Sequence, residues 1–161
     1  QFKHHFRQRQ ELMSEEKFED RQRVETVRLT HQTGSNVEGD IYEIVGGKEF
    51  FVNLCAKFYE GVAQDPILRP MYPEEDLGPA AERLQLFLEQ YWGGPTTYQE
   101  ERGHPRLRMR HAGLHINPAA QDAWLDCMRK AVDGMEMKAE HREKLWRYLE
   151  GAAHHMVNAL D

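Results

Sequence analysis

Between residues 102 and 111 the chain reads Arg102-Gly103-His104-Pro105-Arg106-Leu107-Arg108-Met109-Arg110-His111, guanidinium groups alternating with apolar side chains up to a terminal imidazole. A neutral imidazole in that setting suits a flat, apolar, dianionic iron porphyrin. His111 would bind the iron axially, Leu107 and Met109 would touch the macrocycle, and the arginines would meet the propionates. Taken singly, a histidine on an apolar turn is more often a surface or satisfied core residue than a ligand. A run of arginines is, in the same way, a solvated face first and a phosphate-binding patch second.

A porphyrin needs a second wall, and three side chains can furnish its polar part. Tyr59, Tyr72 and Trp124 fall in or beside segments that otherwise read as apolar helix faces, and a buried phenol or indole must find a partner for its O–H or N–H. Dioxygen that has taken up electron density from ferrous iron is a good acceptor. Without such a ligand, Tyr59 reads as an amphipathic core residue with its hydroxyl at the surface, and Trp124 as plain packing.

The elements that must position these groups are helices. A short one is expected near Ile41 to Val45, ended by Gly46-Gly47, then one from Lys48 to Ala63 whose Phe51, Leu54, Cys55, Phe58, Tyr59 and Val62 follow a single three- and four-residue stripe. Asp65-Pro66 breaks it. The interval to Pro73 is a corner in which Tyr72, preceding proline, is biased toward extended backbone.

A helix over Ala80 to Trp92 carries Leu84, Phe87, Leu88 and Tyr91 on one face and stops at Gly93-Gly94-Pro95. Thr96 to Gly103 reads as loop, and Pro105 opens a short turn that delivers His111. Asn117-Pro118 is a strong start signal for a helix bearing Trp124, Cys127, Met128 and Ala131. After Asp133-Gly134 a last helix runs from Lys138 to Asn158, with Leu145, Leu149, Ala152 and Met156 as its stripe. No period-two pattern occurs, so the class is all-α.

Length and composition agree with one domain: 161 residues, 40% apolar and 10% aromatic, can supply a core. The 30% charged fraction and mean hydropathy of −0.80 are polar for a compact helical domain. Much of that polarity lies in residues 1–40, read as a charged N-terminal extension, helical or disordered, ahead of a domain over 41–161. Phe2, Phe6, Leu12, Met13, Phe18 and Val24 could dock that arm on the domain or on a second copy, giving a homodimer. Met13-Ser14-Glu15-Glu16 also reads like a translation start.

A net charge of −6 argues against general nucleic-acid binding. With no apolar leader and no run near ~18 apolar residues, neither secretion nor a membrane span is supported, and the expected location is the cytoplasm. Cys55 and Cys127, far apart at apolar helical positions, read as buried free thiols.

At Phe58-Tyr59, Met71-Tyr72-Pro73-Glu74-Glu75-Asp76-Leu77, Glu82-Arg83-Leu84, Phe87 through Pro95, Arg102 through His111 and Ala123-Trp124, the chain resembles a truncated hemoglobin of group II, the actinobacterial hemoglobin O type, over residues 41 to 160. The resemblance implies a two-over-two helical sandwich around heme b. It makes His111 the proximal ligand, with Arg110 beside it at a position that contacts a propionate, and Tyr59, Tyr72 and Trp124 the distal polar cluster.

Leu84 and Phe87 take apolar positions lining the distal pocket. Ala80 falls where many larger globins carry a distal histidine, and Arg83, by its place on the distal helix, either reaches a propionate or faces water. The implied function is reversible binding of O2 and the related diatomics NO and CO. Slow release of a hydrogen-bonded ligand argues against simple oxygen delivery. The alternative is a heme redox enzyme, a peroxidase or nitric oxide dioxygenase, drawing electrons from an external reductase, since no flavin or nicotinamide motif is visible. A cofactor-free helical interaction module is the third reading.

Overall fold

The computed structural model describes residues 41–161. The expectations placed on residues 1–40 lie outside the described residues. Seven α-helices follow in order: α1 (Ile41–Val45), α2 (Gly47–Gln64), α3 (Gly78–Tyr91), α4 (Thr97–Arg102), α5 (Leu107–Arg110), α6 (Pro118–Asp133) and α7 (Ala139–Met156), with a 3-10 turn at Arg69–Met71. Among the described residues there is no strand, and no helix is long and apolar enough to cross a membrane.

The stripe expected on α2 is the centre of the core. Phe51, Leu54, Cys55, Phe58, Tyr59 and Val62 are all buried, with Phe50 added to them. Burial on the scale of Phe51 or Phe58, both at 0% exposure, is worth roughly 1.5–3 kcal/mol per side chain. That face is shared by two neighbours, since α2 packs on both α3 and α6, and α6 packs in turn on α7. Two crossed helix pairs result, α2 with α3 and α6 with α7, the two-over-two globin sandwich.

Local chemistry sets the ends. Gly46 and Gly47 have φ of 119° and 66°, which glycine adopts without steric cost and which turns α1 sharply into α2. The Asn117 side chain accepts a 2.9 Å hydrogen bond from the Ala120 amide and Pro118 occupies the first turn, so α6 starts where its capping signal stands. Helix α3 begins at Gly78, two residues before the expected Ala80, because Pro79 is tolerated in a first turn, where its missing N–H has no helical partner. Its end is locked to α7 by Tyr91 stacked on Tyr148 at 3.7 Å and by Trp92 edge-on to Tyr148 at 5.7 Å.

Two expectations are corrected. Thr96 to Gly103 is not loop: Thr97–Arg102 is helical. Its single buried side chain, Tyr98, meets Phe87 edge-on at 5.7 Å, and one anchor over six residues cannot produce a helical period. On α7 the buried line is Leu145, Leu149 and Ala153, not Ala152 and Met156, which are only half-buried; a strict four-residue step carries the stripe to Ala153. Cys55 and Cys127 are buried and free.

Candidate functional site

Tyr59 is placed by α2 and Trp124 by α6, and the packing of these helices brings both rings onto Phe58. Phe58 meets Tyr59 edge-on at 5.0 Å and Trp124 at 5.1 Å with a 58° tilt. Tyr72 joins from the corner, its ring edge-on to Tyr59 at 5.6 Å. The three polar aromatics therefore form one contiguous group, Trp124–Phe58–Tyr59–Tyr72.

The corner that delivers Tyr72 is held by side chains. Asp65 Oδ1 accepts from the amides of Ile67 and Leu68, each at 2.9 Å. The Arg69 guanidinium donates to the carbonyls of Tyr72 at 3.1 Å, Glu74 at 2.9 Å and Glu75 at 3.0 Å. Tyr72 itself is extended, φ −101° and ψ 114°, as its following proline requires. Reading the sequence missed Arg69; its only signal was a cation in a proline-rich interval whose carbonyls no helix could satisfy.

Burial controls the state of the phenols. Desolvation pushes the Tyr59 hydroxyl well above the usual phenol range and raises that of Tyr72. The two hydroxyls also hydrogen-bond to each other, and the nearby Arg83 pulls in the opposite direction on both. Both phenols are consequently neutral O–H donors at any physiological pH.

On α3, Ala80 is buried, while Leu84 and Phe87 are half-buried and packed against the core. Arg83 Nη2 lies 3.3 Å from Glu74 Oε1, a half-exposed pair that ties α3 to the Tyr72 corner.

His111 is the C-cap of α5, a single turn with no buried residue. Its Nδ1 lies 2.5 Å from the Leu107 carbonyl oxygen. That contact makes Nδ1 the protonated nitrogen of the neutral ring and leaves the Nε2 lone pair available to a metal. Leu107 is half-buried and Met109 is 44% exposed.

The Arg110 guanidinium, expected at a propionate, donates through Nε to the Pro105 carbonyl at 2.8 Å and through Nη2 to those of Arg102 at 2.8 Å and His104 at 3.3 Å. It also lies 5.9 Å over the Tyr98 ring. Its Nη1 makes none of these bonds.

This donor set fits an iron porphyrin. One imidazole has a fixed tautomer, apolar side chains at Leu84, Phe87 and Met109 are not sealed by the protein's own packing, and three neutral donors sit together elsewhere in the domain. A site built from several protein ligands does not compete, since no group of three or more His, Cys, Asp or Glu is poised for a metal among the described residues.

The comparisons with known proteins agree. The bacterial-like globin family matches residues 40–158. Group 2 truncated hemoglobin YjbI of Bacillus subtilis is 46% identical over 117 residues, 73% of this chain and 87% of that protein. A thermostable hemoglobin from the actinobacterium Thermobifida fusca is 59% identical at a TM-score of 0.75, over 76% of this chain and 100% of that one. A truncated oxygen-avid haemoglobin from Bacillus subtilis is 45% identical at a TM-score of 0.70, over 74% and 100%.

Proposed function

The chain belongs to the bacterial-like globins as a truncated hemoglobin of group II, a family that implies heme and diatomic gas binding, and on that premise we propose that it holds heme b through His111 and binds O2, with NO and CO as related ligands. Heme, when bound, would supply an iron able to take one protein nitrogen and a diatomic gas.

His111 Nε2 would hold the iron, and the Leu107 carbonyl, accepting from Nδ1–H, fixes the ring's tautomer and orientation and raises the basicity of Nε2. Met109, exposed beside His111, and Ala80, Leu84 and Phe87 on α3 would supply the apolar surface that holds the macrocycle. Arg83 and Arg110, both already ordered by other bonds, carry positive charge for the propionates.

Tyr59, Tyr72 and Trp124 form the donor group for the gas, the paired phenols offering one free proton between them and the indole a second. The methyl of Ala80 cannot donate, so the aromatic group carries that role alone. A gas that accepts from a phenol or indole while bearing partial negative charge gains about 1.5–3 kcal/mol per bond and leaves correspondingly slowly. One of the similar structures is described as oxygen-avid, which accords with slow release.

The observation that carries the reading is the His111 ring, tied at Nδ1 and open at Nε2. Titrating the purified protein with hemin tests it. The expected result is a strong Soret band saturating at one equivalent, with His111→Ala losing heme readily or giving a different spectrum under carbon monoxide. Unchanged heme affinity and an unchanged carbon monoxide spectrum in His111→Ala would overturn the assignment.

A further inference from the structure

We infer that Asn158, just beyond the end of α7, is a positioning residue for His111; the inference rests on His111 being the iron ligand. Helix α5 is four residues long and buries none of them. A single turn is not stable by itself, and no side chain of this one is fully buried, so the place of the imidazole depends on polar bonds between the turn and its surroundings. Arg110 makes them on the N-terminal side, to the carbonyls of residues 102, 104 and 105.

Asn158 makes them on the C-terminal side. Its Nδ2 donates to the Leu114 carbonyl at 2.9 Å and, more weakly, to the carbonyl of His111 itself at 3.4 Å. Its Oδ1 accepts from the Ile116 amide at 2.9 Å. The amides of Asn158 and Ala159 both donate to the Ile116 carbonyl, at 2.9 and 3.1 Å.

The segment that follows the imidazole is thereby tied to the tail of α7, a helix fixed in the core by Leu145 and Leu149. The Leu107 carbonyl fixes the ring's rotation, and Asn158 fixes where the residue that carries it lies. A change at Asn158 reaches the iron through His111 without touching the distal donors.

The test uses the full-length, heme-loaded protein with Asn158→Ala and Asn158→Asp, read by the iron–histidine stretching band of the ferrous, gas-free form. The alanine variant loses every side-chain bond. The aspartate keeps an acceptor for the Ile116 amide but turns an anionic oxygen toward the His111 and Leu114 carbonyls. Both are expected to shift and broaden the band.

In the heme-free protein, hydrogen exchange at the His111 and Leu114 amides should speed up about fivefold or more, the equivalent of one net hydrogen bond. A wild-type band in both variants overturns the inference. Where a variant holds too little heme for the band, wild-type exchange at those two amides overturns it instead. His111→Ala serves as the separate control: if it retains the wild-type band, the ligand assignment itself fails, whatever Asn158 does.

Discussion

Removing the Tyr59 and Tyr72 hydroxyls, singly and together, probes the distal group most sharply. Tyr59→Phe and Tyr72→Phe keep both rings, so the edge-on contact at 5.6 Å survives and only O–H groups are lost. The two hydroxyls are bonded to each other, which engages one of their two protons and leaves one for a gas.

For stability, each single variant breaks that mutual bond and strands its partner's hydroxyl, a cost of about 1–2 kcal/mol. The double variant strands nothing and should cost about the same as one single, a coupling of about 1–2 kcal/mol. In a domain of this size 1 kcal/mol corresponds to roughly 4 °C in melting temperature. For gas release, losing a donor worth about 1.5–3 kcal/mol accelerates dissociation by about ten- to a hundredfold. The two single effects should not multiply in the double variant. Thermal melts and stopped-flow release of O2 into a carbon monoxide trap read both cycles. Additive free energies in both would refute the idea that the phenols act as one hydrogen-bonded unit.

Trp124→Phe keeps a ring against Phe58 and deletes the indole N–H, so O2 release should accelerate with little change in melting temperature; equal rates would remove Trp124 from the donor group. Gly94→Ala places a Cβ 2.6 Å from Tyr42 Cδ2 and must displace a ring stacked on Phe51 at 5.8 Å. A loss of about 1–3 kcal/mol in chemical denaturation is expected, and an unchanged midpoint would contradict that packing. Alkaline pH should weaken the fold through Cys55. Burial, with Glu89 adding to it, pushes its thiol from an ordinary value near 9 up to about 12. The thiol therefore ionises first in the unfolded chain, and its stabilising effect is intact below pH 9 and falls as pH rises toward 12. By pH 10 the loss is about 1.4 kcal/mol, before the buried tyrosines contribute, and denaturation of Cys55→Ala at pH 8.5 and 10 should lack that difference.

The helices that carry Tyr59 and Trp124 were legible because each has a local pattern. The α2 stripe repeats at three- and four-residue spacing, Asn117-Pro118 caps α6, and Gly46-Gly47 turns α1 into α2. Thr97–Arg102 was not legible, since Tyr98 is its only buried side chain. The bonds that place Tyr72 and His111 were also hidden. Arg69 reaches carbonyls three to six residues ahead, and Asn158 reaches carbonyls 44 and 47 residues behind it. A side chain satisfying distant backbone leaves no periodicity to read. Arg110 shows the reverse case: its charge beside an imidazole pointed to a propionate, while in the folded chain most of its donors meet local carbonyls. Its free Nη1 is what remains for an anion.

The crystal structure of the ferrous, heme-loaded protein under dioxygen is the most direct test. The expected result is iron bonded to His111 Nε2 on one face, with the hydroxyls of Tyr59 and Tyr72 and the Trp124 indole gathered around the gas on the other. Iron held by any other residue, or a gas surrounded only by apolar side chains, would contradict it.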